Sequence, residues 1–159
     1  MEQSRDGNSW RIEPLDEATG PGRLLAARLV VGTAGRGFVP ITAAVDGWLA
    51  AARAGTGLVT LFLRHTSASL TIQENTDPDV LADLADALDR LAPADARWRH
   101  ALEGPDDMPA HVKASLTGVS LAVPVVAGRM DLGTWQAVYV VEHRASPHRR
   151  TLTIHYAGT

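Results

Sequence analysis

"TWQAVYVVEHRASPHRRTLTIHYAG", residues Thr134 to Gly158, is the stretch whose reading decides the fold. Trp135, Ala137, Tyr139 and Val141 alternate with their neighbours, and so do Leu152, Ile154 and Tyr156. A period of two belongs to strands with one face toward a core. Two such runs in succession, separated by a short charged turn, point to antiparallel pairing.

Working outward, "SLAVPVV" (Ser120 to Val126), "RLLAARLVV" (Arg23 to Val31) and "SLTIQE" (Ser69 to Glu74) also read as strands. "LVTLFLRH", Leu58 to His65, reads as a strand buried on both sides. "GTAGRGF", Gly32 to Phe38, reads as a hairpin turn before the short strand "FVPIT". A phosphate loop would need a lysine and a strand-loop-helix setting. Thr42 has the character of a helix N-cap, with Val45, Trp48, Leu49 and Ala52 at helical spacing and Gly55 and Gly57 as stops. Asp77-Pro78 is a second helix start, followed by Val80, Leu81, Leu84, Leu88 and Leu91 on one face. Asp79, Asp83, Asp86 and Asp89 make its solvated face. From Pro93 to His111 there is no period, and a loop that long is commonly functional or disordered.

The order is strands, helix, strands, helix, loop, then consecutive strands. It predicts an α+β single domain over residues 21–159, with a largely antiparallel or mixed β-sheet and helices packed on one face. Residues 1–20 are polar and aperiodic and are expected to be a flexible N-terminal extension.

Composition narrows the function. The chain has 159 residues, 45% of them hydrophobic, enough for a real core. The formal net charge of −3 argues against nucleic acid as a partner. No apolar run reaches membrane-spanning length, so no membrane partner and a cytoplasmic location are expected. Cysteine is absent, which excludes disulfides and thiol catalysis and leaves His, Asp, Glu and Asn as metal ligands.

Three stretches carry chemistry. In "HTSASLTIQEN", His65 ends a strand, and Thr66, Ser67, Ser69 and Thr71 precede Gln73, Glu74 and Asn75. Hydroxyls and turn amides can cradle an anion, and they can equally satisfy their own backbone. In "HALEGPDDMPAHVKASL", His100 and His111 are eleven positions apart. They can serve one site only if the loop folds back, which Pro105 and Pro109 would help. Adjacent Asp106 and Asp107 repel unless a cation or a base lies near, and a solvated acidic loop is the plain alternative. "GTWQ" and "EHRASPHRR" add Gln136, Arg144, Arg149 and Arg150, suited to phosphate or to a charged hairpin tip. Together the side chains suit a metal-assisted reaction of a phosphorylated small molecule.

At these residues the chain resembles the YjbQ-type family, the secondary thiamine-phosphate synthase-like proteins. The resemblance rests on "HTSASLTIQENTDPDV", "EGPDDMPAHVKASLTG", "PV" followed by "GR", "GTWQ", and "EHR" with the later "RR". It runs from about residue 24 to the C-terminus. Gln73 stands where the family pattern has asparagine before Glu74-Asn75.

The resemblance implies a YjbQ-like α+β fold, a homotrimer, and a transferase that joins an aminopyrimidine methyl diphosphate to a thiazole phosphate and releases diphosphate. With ligand chemistry it implies a divalent metal ion (zinc, manganese or magnesium) on His65, His100 and His111, the imidazoles favouring the first two over magnesium. Glu74, Asn75, Asp106, Asp107 and Gln136 would be the catalytic set. Ser67, Ser69, Lys113, Arg144 and Arg149 would hold the phosphorylated small-molecule substrate. A metal-dependent phosphoester hydrolase and a non-enzymatic trimeric ligand-binding protein are the alternatives.

Overall fold

The computed structural model describes residues 2–5, 8–19 and 22–159. The chain folds as one α+β domain with two sheets and three helices among these residues. The strands are β1 (Glu2–Arg5), β2 (Asn8–Thr19), β3 (Arg23–Thr33), β4 (Gly37–Pro40), β5 (Gly57–Leu63), β6 (Ala68–Glu74), β7 (Ser120–Val126), β8 (Arg129–Met130), β9 (Gln136–Glu142) and β10 (His148–Gly158). The helices are α1 (Thr42–Ala51), α2 (Pro78–Leu91) and α3 (Asp107–Thr117). The larger sheet runs β1-β2-β3-β10-β5-β7-β8 and the smaller β4-β9-β6. Every described strand pair is antiparallel.

β10 is the spine of the larger sheet. It pairs with β3 from His148–Thr33 to Gly158–Arg23 and with β5 from Leu152–Leu63 to Gly158–Gly57. Its alternation is one-sided as expected: Leu152, Ile154 and Tyr156 are fully buried, and His155 is exposed. β9 differs. Residues 137–142 are buried without alternation, because β9 is the middle strand of a sheet covered on both faces. Val138 and Val140 join one core cluster with Leu29, Leu61, Leu152, Leu70 and Leu49, so the sheets and α1 close over the same interior. Each such side chain contributes about 1.5–3 kcal/mol on burial. Helices α2 and α3 pack against β6 and against each other, and α1 against β9 and β8.

Several expectations need correction. Residues 8–19 pair along β3 as β2, and residues 2–5 pair with β2, where a loose extension was expected. The glycine turn after β3 is no hairpin: it carries the chain into β4, a strand of the other sheet, with Gly35 and Gly37 at φ of 140° and 151°. Thr42 is the first residue of α1 rather than its cap, and its Oγ1 accepts the Val138 N–H at 2.8 Å. α1 ends through Arg53 at a φ of 53°, before either glycine. Asp77 does cap α2, accepting the Asp79 N–H at 2.9 Å. Asp89 leaves the solvated face to take ion pairs from Lys113 and Arg36.

The largest difference is α3, which begins inside the stretch read as aperiodic. Its inward residues are Asp107, Pro109, Ala110, Lys113 and Ala114, so no apolar stripe marks it. Pro109 is tolerated because it lies in the first turn, where backbone N–H groups have no intrahelical partner. Gly118 closes α3 at a φ of 89°. Among the described residues no helix is long and apolar enough to cross a membrane.

Candidate metal site

The aspartate and histidine four apart at the start of α3, Asp107 and His111, lie on one face of the helix. The preceding loop folds back and brings His100 to the same place. His100 Nε2 is 2.8 Å from Asp107 Oδ2, and His111 Nε2 is 3.2 Å from the same oxygen. One ligand atom from each of the three residues lies within 4.8 Å of the other two. The imidazole rings are 5.7 Å apart at 62°. With bonds of about 2.1 Å to a shared ion, ligand atoms stand roughly 3.0–3.4 Å apart, so the cluster has the scale of a coordination sphere.

The surroundings fix each member. His111 Nδ1 lies 2.9 Å from the Thr66 carbonyl, which can only accept, so that nitrogen carries the proton. Nε2 is then the ring atom that faces the Asp107 carboxylate, 3.2 Å away, an approach that a proton on Nε2 or a metal ion between the two atoms completes. Asp107 is buried, and its other oxygen pairs with Arg144 Nη1. Arg144 Nη2 donates to the Glu103 carbonyl at 2.7 Å, and Nε stands 3.2 Å from Asp106 Oδ2. Burial alone would raise the Asp106 carboxyl, but the Ala145 N–H at 2.8 Å and the Arg144 guanidinium outweigh it and hold its pKa below the ordinary value. Asp106, Asp107 and Glu103 set three carboxylates around one guanidinium.

Beneath the cluster is a buried ion pair, Glu142 with Arg150. Arg150 Nε donates to Glu142 Oε2 at 2.7 Å, and Nη2 donates to Oε1 at 2.5 Å. Thr33 Oγ1 also donates to Oε2, at 2.8 Å. Burial would raise the Glu142 carboxyl; Arg150 and the Arg144 N–H overcome this and lower it. The pair reaches the cluster twice. Glu142 Oε1 accepts the Arg144 N–H at 2.9 Å. Arg150 donates to Ser67 Oγ and to the Ser67 carbonyl at 3.1 and 3.2 Å, next to the Thr66 that orients His111. Arg150 has a readable parity, sharing a face with Leu152 and Ile154, whereas Glu142 lies on a strand buried on both faces and has none. A charge at an inward position of β10 is the signal that finds Arg150, and Glu142 follows only as its partner.

The other expected site residues are dispersed. His65 is not with the cluster. Its Nε2 accepts the Thr151 N–H at 2.7 Å, and burial, then Arg150, lowers its pKa. One copy of the chain does not gather the three expected histidines; His100 and His111 stand with Asp107, a group that could hold a metal ion. Ser69 is fully buried, 2.8 Å from His143 Nε2 and 2.6 Å from Thr117 Oγ1. Burial, then Lys113, pushes His143 down to about 4. Lys113 is buried against Asp89 at 2.5 Å. Arg149 is exposed on β10. Glu74 and Gln136 face each other in register at the far end of β6 and β9, six residues from the Ala68–Glu142 pair, or about 20 Å. Gln136 Oε1 accepts the Gly133 N–H at 2.8 Å, Glu74 Oε1 the Asp77 N–H at 3.4 Å, and Asn75 Oδ1 the Thr76 hydroxyl at 3.2 Å. These are turn contacts, and within one copy of the chain they do not meet the histidines.

Residues 28–159 match the family described as "UPF0047 protein YjbQ-like". A UPF0047 protein of Synechocystis sp. is 48% identical over 131 residues, covering 82% of this chain and 89% of that protein. The crystal structure of a conserved hypothetical protein from Thermus thermophilus aligns with a TM-score of 0.72 at 42% identity, covering 80% of this chain and 96% of that one. A protein from Sulfolobus solfataricus, described as YbjQ-like and of unknown function, shares the fold with a TM-score of 0.80 at 23% identity, covering 87% and 99%. These descriptions attach no reaction to the family. The expected thiamine-phosphate synthase activity is corrected accordingly. Within one copy of the chain the residues assigned to that reaction lie apart. With the family match spanning nearly all of the fold, the chain belongs to the UPF0047 family of YjbQ-like proteins.

Proposed function

We propose that this protein is a metalloprotein whose divalent ion is held by His100 Nε2, His111 Nε2 and Asp107 Oδ2. The observation that carries the reading is the His111 tautomer. With Nδ1–H committed to the Thr66 carbonyl, Nε2 is left facing Asp107 Oδ2 and is the ring atom that can bind an ion shared with that carboxylate. Two imidazoles and one carboxylate favour zinc, manganese or ferrous iron over magnesium, which prefers oxygen ligands. Three protein ligands leave coordination positions open, and the bound ion supplies a Lewis acid there. Arg144 fixes the carboxylate, and Thr66 fixes the imidazole, the arrangement by which outer groups orient metal ligands.

Titration of zinc and of manganese into chelator-treated full-length protein tests this. One ion per chain, with affinity lowered at least 100-fold in His111→Ala, is expected. Absence of saturable uptake, or uptake unchanged in both His111→Ala and Asp107→Asn, overturns it.

A further inference from the structure

A cavity of about 330 Å3 opens between the C-terminal end of α2, the first turns of α3 and the end of β9. None of the three residues of the metal cluster lines it. Its polar lining is Arg36, Asp89, Asp106, Lys113 and His143, with Pro93 and Pro109 as apolar wall. Two cations and two carboxylates leave that lining without a net charge.

His143 is 4% exposed, and a chain of hydrogen bonds fixes its proton. Thr117 Oγ1 is 2.8 Å from the Lys113 carbonyl, which can only accept, so the single hydroxyl proton of Thr117 goes there. Thr117 therefore accepts from Ser69 across 2.6 Å, and Ser69 accepts from His143 Nε2 across 2.8 Å. Burial, then Lys113, pushes the pKa of His143 down to about 4, so the ring is neutral at neutral pH and Nδ1 carries a lone pair. No described residue donates to it. Among the described residues, the buried side-chain atoms sealed from solvent without a partner are Arg28 Nε and Arg144 Nε. Nδ1 is not one of them, so it is open, and the cavity is what it opens on. Lys113 is 5% exposed, and one of its three N–H groups reaches Asp89 Oδ1 at 2.5 Å. The two most buried polar residues of the lining thus hold a free lone pair and spare N–H donors.

We propose that this cavity binds a small neutral polyol, one hydroxyl of which donates to His143 Nδ1 and accepts from Lys113 Nζ. A hydroxyl is the group that does both at one atom. An ionised carboxylate has no proton for Nδ1. An ammonium has one, but meets the charge of Lys113. Hydrogen phosphate brings two negative charges against Asp89 and Asp106. Those carboxylates accept from further hydroxyls, and Arg36, its side chain 53% exposed, donates to them from the rim. The volume stands at the lower end of small-molecule sites, which limits the ligand to roughly sugar size.

Glycerol, D-ribose and myo-inositol, each titrated into the full chain and followed by NMR, test the proposal, with glycine, acetate and inorganic phosphate as ionic comparisons. At least one polyol is expected to bind saturably and at least fivefold tighter than each ion. The unprotonated Nδ1 resonance of His143 should move as that polyol binds. Ala94→Trp fills the cavity from its exposed rim, and His143→Gln keeps a donor for Ser69 while removing Nδ1. Each should weaken the polyol at least tenfold. Absence of saturable binding by all three polyols, an ion bound as tightly, binding unchanged in either variant, or an Nδ1 that is protonated or unmoved by the bound polyol overturns the proposal. None of these outcomes bears on zinc uptake, so the metal reading is tested separately.

Discussion

His111 and Asp107, one turn apart on α3, set Nε2 against Oδ2 at 3.2 Å, while the opposite nitrogen of the same imidazole is committed to the Thr66 carbonyl. An i,i+4 pair of this kind is ordinary on a helix surface. Here the carboxylate is buried and its second oxygen is taken by Arg144. The pair is fixed from both sides, and the remaining gap suits a cation.

The first prediction separates the histidines. His100→Ala and His111→Ala each lower zinc affinity at least 100-fold, and Asp107→Asn does the same by removing the charged ligand. His65→Ala leaves zinc affinity within about twofold, because His65 Nε2 is occupied by the Thr151 N–H. Competition against a chromophoric chelator reads all four variants on one scale.

The Glu142–Arg150 pair supports both stability and the site. Glu142→Gln leaves a buried guanidinium uncompensated, and breaking such a pair costs about 3–5 kcal/mol. Replacing both partners, Glu142→Leu with Arg150→Met, recovers much of that loss in urea unfolding. It does not recover zinc affinity, which stays about tenfold weaker, because Ser67 and the Arg144 backbone lose their anchors. Equal recovery of both properties would show that the pair only stabilises.

Stability is expected to fall in mild acid. The buried His143 imidazole takes a proton in the folded chain only near 4, against 6.5 as its ordinary value. Between these values the unfolded chain binds more protons, so stability is complete above 6.5 and is lost as pH falls toward 4. The shift corresponds to a loss on the order of 3 kcal/mol. His65, lowered in the same direction but half exposed, contributes with the same sign. Glu142, held below its ordinary value, adds a further loss at lower pH. Urea midpoints measured from pH 7.5 to 5 in the wild type and in His143→Gln check this. The variant should show the shallower slope, and equal slopes would remove His143 as the cause.

Much of this fold is legible in the sequence, because its large elements obey simple periods. Leu152, Ile154 and Tyr156 mark β10, and Asp77-Pro78 with the leucines after it mark α2. The misses have physical causes. α3 buries aspartate, lysine and alanine instead of leucine, so it shows no apolar stripe. β9 is covered on both faces, so its alternation carries no directional meaning. Within the candidate site, His100 and His111 are legible as ligand types, and the fold-back that joins them is a condition their spacing sets and does not itself dictate. The third member is not legible. Asp107 and His65 both suit a metal, and only the Thr151 N–H on His65 and the helical register of Asp107 decide between them.

The α2 cap offers a local control. Asp77→Ala removes the side-chain acceptor for the Asp79 N–H and should destabilise the fold by about 1 kcal/mol. Zinc affinity should not change, since α2 supplies no ligand. Thermal unfolding with a parallel zinc titration checks both halves.

The central claim is tested most directly by an anomalous difference map from crystals of the full chain soaked in zinc. The account predicts one strong peak about 2.0–2.3 Å from His100 Nε2, His111 Nε2 and Asp107 Oδ2. A map without a peak there, or with zinc on His65 and away from Asp107, would contradict it.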